Sequence, residues 1–193
     1  MTLSAGRGPL SDAPLGRFAP PIEPGTTFIE PHPRRVQAFI DGEPVIDTER
    51  ALMVHRAGHA LSYVFPTDEL DRLPADIEVE DEPHAPGFVR VPWDAVDEWY
   101  EEGRLLVHYP PNPYHRVDCR PTSRRLRVEV GDPSNPIVLV DTSDTLVLFE
   151  TGVSTKLYVE RAHVRMDLLH PSETTTYCNY KGWTTYWSAT IDG

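Results

Sequence analysis

Apolar and polar positions alternate with a period of two over much of the chain, in short runs separated by turn residues. Val36-Gln37-Ala38-Phe39-Ile40 leads into Asp41-Gly42 and then Val45-Ile46-Asp47-Thr48. Two β-prone runs around Asp-Gly predict a hairpin, because these residues accept the left-handed backbone of a two-residue turn. Residues 51–55 and 61–65 follow as two strands turned at Ala57-Gly58, and Thr67 caps a helical turn over 67–70. An acidic, irregular stretch covers 77–86, and 89–93 is strand-like. Between Asp94 and Gly103 the spacing changes. Val96, Trp99 and Tyr100 share one helical face, with Asp94 as N-cap and Gly103 just past the end, so a short helix is predicted over 94–103. Residues 105–109 return to strand, and Pro110-Pro111-Asn112-Pro113 interrupts before 114–119 continues.

From Arg124 the pattern starts again: strands at 125–130, 137–142, 146–149 and 156–159, with turns at 131–135 and Thr151-Gly152. Asp47-Thr48 matches Asp141-Thr142, Leu52 matches Leu146 and Gly58 matches Gly152 at a spacing of 94. Tyr63-Val64 matches Tyr158-Val159 at 95, and Arg35 matches Arg125 at 90. A four-strand meander needs a partner for its apolar face. The expected fold is therefore mostly β: two related antiparallel meanders in a small barrel-like or sandwich body, with one short helix. Residues 1–33, rich in Pro, Gly and Ala, bury too little surface to offset their ordering entropy and read as a disordered tail, pinned at Phe18, Ile22 or Phe28. Residues 34–118 form the first copy and 119–193 the second.

Charge and cysteine usage narrow the partners. A net charge of -12 speaks against nucleic acid, and the basic runs Arg34-Arg35 and Arg124-Arg125-Leu126-Arg127 each open a strand-like segment, as solvated strand edges do. Two cysteines, Cys119 and Cys178, make no disulfide framework and read as free thiols in a reducing cytoplasm. No apolar run approaches the ~20 residues of a membrane span and no signal-like segment opens the chain, so a cytoplasmic protein without a membrane partner is expected. A homodimer is compatible with this reading.

The chemistry gathers at 172–188, where Thr, Ser, Cys, Lys and five of the chain's Tyr and Trp residues crowd together. The first copy has no such stretch, so one site is expected. Cys178 is the candidate nucleophile, and Lys181 could supply the cation a thiolate needs if Asn179-Tyr180-Lys181-Gly182 is a turn. The alternatives are a buried structural cysteine and a solvated turn lysine. Glu150, which leads the Thr151-Gly152 turn, is either part of the pocket or the internal acceptor of Lys181, and it could also meet Asp167 as a second carboxylate. Thr174 and Thr176 offer hydroxyls, although β-propensity alone explains a Thr run. Tyr180 reads as a pocket wall; Trp187 can stack a planar ligand, yet a large aromatic at strand spacing is more often core. The eight histidines show no Cys-x-x-Cys or His-Glu-x-x-His spacing, so neither a metal nor another cofactor is expected.

A resemblance adds to this. Leu148-Phe149-Glu150-Thr151-Gly152, Tyr158, Val164-Arg165-Met166-Asp167-Leu168-Leu169, Pro171-Ser172-Glu173-Thr174-Thr175-Thr176-Tyr177-Cys178-Asn179-Tyr180-Lys181-Gly182 and Tyr186-Trp187-Ser188 resemble the family called domain of unknown function 427. Asn112-Pro113-Tyr114-His115-Arg116-Val117-Asp118 is similar to the linker of its two-copy members. Asn179 stands where that family usually has proline. The resemblance implies a small, mostly β, barrel-like fold and brings Tyr158 and Ser172 into the candidate ligand set. Members are sometimes labelled nucleotidyltransferase-like, but this chain has no Gly-Ser loop with paired aspartates and no phosphate-cradling glycine turn. Two classes of function follow: a binding or enzymatic module with one pocket around Cys178 and Lys181 for a small polar or anionic ligand, or a non-catalytic structural or interaction module.

Overall fold

Asp41 and Gly42 both take positive φ, 51° and 78°, and the hairpin predicted around them forms. The computed structural model describes Leu10 and residues 17–190. Its contacts fall into two units that divide between His115 and Arg116. The described strands pair antiparallel, and the described helical turns are all short 3-10 turns. No barrel closes among the described residues; the strands form separate open sheets.

The first unit contains β1 (Thr27–Pro31), β2 (Val36–Ile40), β3 (Glu43–Thr48), β4 (Leu52–Arg56), β5 (Ser62–Pro66), β6 (Glu80–Asp81), β7 (Phe88–Arg90), β8 (Glu98–Glu101) and β9 (Arg104–Leu106). One sheet has the order β1-β4-β5-β7-β6 and the other β3-β2-β8-β9. Val36, Ala38, Ile46, Met53, Tyr63, Phe65 and Trp99 form a buried core cluster supplied by strands of both sheets. This is the product of the period-two pattern, which sends alternate side chains to one face.

Two expectations are corrected here. The tail was expected to reach residue 33, but 27–31 is β1, paired along its length with β4. Thr-Phe-Ile is a good strand sequence that the surrounding prolines and glycines disguise. The remaining tail residues 1–9 and 11–16 lie outside the described residues. The helix expected over 94–103 is absent: a 3-10 turn at Trp93–Ala95 leads into the β8–β9 hairpin. Its turn is Glu102-Gly103, with φ of 50° and 74°, the left-handed pair a two-residue hairpin requires. Trp99 and Glu101 both point inward. A carboxylate in a core position breaks the apolar alternation, which is why the helical spacing won on paper.

The second unit contains β10 (Val117–Thr122), β11 (Leu126–Val130), β12 (Ile137–Thr142), β13 (Thr145–Glu150), β14 (Val153–Tyr158), β15 (Leu169–Cys178) and β16 (Gly182–Ala189). β10-β13-β14 form one sheet, β11-β12 a second and β15-β16 a third. Several details recur between the units. Arg35 grips Asp47 through Nε and Nη2 at 2.6 and 2.5 Å, and Arg125 grips Asp141 through the same atoms at 2.6 Å each. The β2–β3 ladder slips between Ala38 and Phe39, and the β11–β12 ladder between Val128 and Glu129, 90 positions on. Arg50 N donates to Thr48 Oγ1 at 2.9 Å, as Asp144 N does to Thr142 Oγ1 at 3.0 Å. Leu52 faces Pro31 and Val64, and Leu146 faces Pro121 and Tyr158, so Val64 and Tyr158 hold similar positions opposite these leucines.

Candidate functional site

β15 and β16 form a long hairpin closed by Asn179-Tyr180-Lys181. Lys181 N donates to Cys178 O at 3.2 Å, and Gly182 follows with φ 86°, a conformation a side chain would strain. Extended backbone would send positions 178 and 181 to opposite faces; here the chain turns between them instead of running on extended. Lys181 Nζ donates to Glu150 Oε2 at 2.5 Å, from the first residue of the Thr151-Gly152 turn. The Glu150 side chain is 5% exposed and that of Lys181 33%. Burial pulls the Lys181 ammonium down, but the hydrogen bond and charge of Glu150 outweigh it, with further help from Cys178 and Tyr158, and the ammonium stays above its usual range. Lys181, Glu150, Cys178 and Tyr158 therefore share one electrostatic neighbourhood. Beside it lies an open recess of about 370 Å³ lined by Arg116, Asp118, Phe149, Glu150 and Thr151.

The other candidates are engaged along the hairpin or before it. Asp167 accepts two bonds from Arg165, 2.9 and 2.7 Å, at the surface. Ser172 Oγ accepts from Thr174 N at 3.0 Å where the β15–β16 register slips. Thr176 Oγ1 and Tyr186 Oη meet at 2.9 Å across the hairpin. Tyr180 is half-buried in the turn. Trp187 is 42% exposed, with the Arg161 guanidinium 4.8 Å from its ring centre, so it is a surface residue rather than core. Cys178 is half-buried and Cys119 exposed, both as free thiols. Among the described residues no group of three or more His, Cys, Asp or Glu side chains gathers as a metal site, and no helix is long and apolar enough to cross a membrane.

A second polar cluster escaped sequence reasoning. Glu101, 5% exposed, accepts from the Arg34 guanidinium and from Tyr63 Oη at 2.7 Å. His32 Nε2 stands 3.3 Å from the same carboxylate, close enough to interact by charge though outside hydrogen-bond geometry. Burial raises the Glu101 pKa, yet His32, Arg34 and Tyr63 together win and hold it at about 2. Nearby in sequence, His55 Nε2 lies 2.9 Å from Glu30 Oε1, whose other oxygen accepts from Tyr114 Oη at 2.6 Å. Both clusters draw on residues 30–34, at the end of the supposed tail. The readable signal was the polar series Glu30, His32 and Arg34 at a spacing of two, although only Glu30 lies within β1.

The second unit carries the family signal. Residues 118–193 match the family model described as Domain of unknown function (DUF427). The resemblance seen in the sequence thus holds over β10 to β16, the segment that carries Glu150, Cys178 and Lys181. No curated protein and no solved structure matches the chain.

Proposed function

We propose that the protein is a small-molecule-binding or enzymatic module whose polar site surrounds Cys178 and Lys181, and that its two units are related copies of which only the second carries this site. One observation supports the site above all: the nearly buried Glu150 carboxylate is held by Lys181 in the same turn that carries Cys178. Buried ion pairs contribute little net stability, so a pair kept beside a thiol, a phenol and an open recess is better explained by a ligand than by folding. Arg116 at the recess supplies a second cation, which suits a small polar or anionic group. Cys178 is the candidate nucleophile of the enzymatic form of this reading.

The test is native mass spectrometry of the purified protein, followed by binding of whatever small molecule co-purifies. Binding should be lost in Lys181→Met and weakened in Cys178→Ser, with Asp167→Asn unchanged. Retained binding in Lys181→Met defeats the assignment. A second reading, an interaction module, is favoured by the exposed aromatics of β16: Trp183, 70% exposed, with Tyr186 and Trp187 further along the strand. It predicts that Trp183→Ser abolishes capture of a protein partner while Lys181→Met does not.

A further inference from the structure

We propose that the first unit holds a separate ligand site, a cavity that takes a small organic anion with a planar apolar body. The cavity encloses about 420 Å³, within the range of small-molecule pockets, and every lining residue belongs to the first unit. It is independent of the Cys178–Lys181 reading.

Its lining differs from the rest of the chain in the sign of its charged residues. The protein carries 30 acidic residues against 18 Lys and Arg, yet no carboxylate lines this cavity, whereas Arg56, Arg90, His59 and His108 do. Arg56 uses Nη2 on Glu82, at 2.9 Å to Oε2, and Arg90 uses Nη2 on Glu80 at 2.5 Å. Those bonds anchor the guanidiniums through Nη2, and among the described residues no bond is made by Nη1 of either. A planar guanidinium fits a carboxylate or similar anion edge-on.

The apolar wall is a rigid stack. Trp93 lies on Trp99 with centroids 5.0 Å apart and planes at 16°, and Trp99 lies on Phe65 at 5.7 Å and 13°. Trp99 Nε1 donates to Trp93 O at 2.8 Å, which fixes the indole. Tyr63, on the same wall, is held by Glu101 through its hydroxyl. The buried cluster around Glu101 thus has a positioning role: it orients Tyr63 without itself lining the cavity. Flat, immobile rings favour a planar ligand by stacking.

The rim carries strain. His108, which lines the cavity, has φ 70° in a three-residue turn closed by Tyr109 N to Val107 O at 3.0 Å. The other two non-glycine residues with positive φ among those described, Asp41 and Glu102, lie in hairpin turns that require it. Such a turn at His108 is costly and tends to persist where a binding surface needs it.

The test uses 2-naphthoate as the anionic probe and 2-naphthamide as its neutral twin, read by the indole N–H signals of the full chain. Its four indoles report on both units: Trp93 and Trp99 on the first, Trp183 and Trp187 on the second. Naphthoate should shift Trp93 and Trp99 saturably, and naphthamide should bind about tenfold more weakly or worse, as expected for losing one charge-assisted hydrogen bond. Arg90→Met should weaken naphthoate by a similar factor and leave the melting temperature unchanged, because its partner Glu80 is 63% exposed. Ala60→Trp, at an exposed lining position, should fill the cavity and abolish binding of both probes. Lys181→Met should leave the affinity for naphthoate and the shifts of Trp93 and Trp99 as they are, which separates this site from the one in the second unit. Shifts confined to Trp183 and Trp187, equal affinity for the two probes, or an Arg90→Met protein that binds normally would overturn the proposal.

Discussion

A carboxylate among aromatic rings is tolerable only when its charge is answered, and Glu101 is answered by Arg34, Tyr63 and His32. Its fall from 4.5 to about 2 corresponds to about 3 kcal/mol of folding stability. Because the folded pKa is depressed, that stability is complete above pH 4.5 and drains away as pH falls through about 2. Glu101→Gln should lower stability by about 2–3 kcal/mol at neutral pH and flatten the acid limb of the melting-temperature profile between those values. A variant with an unchanged acid limb would contradict the pairing. Lys181 makes the complementary case. Lys181→Met takes the ammonium away from the nearly buried Glu150 and should cost about 1–3 kcal/mol, or several degrees of melting temperature. Adding Glu150→Gln should recover part of that loss, which differential scanning calorimetry of the double-mutant cycle can measure.

At the scale of elements, turn chemistry decides more than strand content does. Gly103 and Gly182 both have positive φ, 74° and 86°, and an added Cβ meets nothing within 4 Å at either, so substitution costs backbone strain alone. Gly103→Ala and Gly182→Ala should each lose about 1 kcal/mol in urea unfolding. Only Gly182→Ala should also weaken ligand binding around Lys181, since it re-aims the turn between β15 and β16. The element misread from sequence, the helix over 94–103, failed for the same reason that Glu101 is informative. Periodicity assumes that inward positions are apolar, and here one inward position is a carboxylate satisfied by residues some 40 to 70 positions away.

Over the whole molecule, stability should be uneven. Eighteen buried apolar residues lie at or before Leu106 among those described, and four lie beyond, Leu139, Val140, Val147 and Leu148. Native-state hydrogen exchange should therefore find the slowest amides on β2, β4 and β5, and markedly faster ones along β15 and β16, whose surface carries Trp183 and Tyr186. Equal protection of the two sets would refute this. Thiol titration of the denatured, unreduced protein should find both Cys119 and Cys178 free.

Local physics was legible in the amino-acid order: the alternation that makes the strands, the Asp41-Gly42 turn and the turn over Asn179–Gly182 that closes the β15–β16 hairpin. Each depends on neighbours within a few positions or on a pattern repeated along the chain. Whether Lys181 would meet Glu150, that β1 would claim residues from the apparent tail, and that Arg56, Arg90 and the Trp93–Trp99 stack would enclose one cavity were decided only by tertiary structure. Those outcomes depend on groups far apart in the chain, whose burial and pairing energies exist only once the strands are registered against one another.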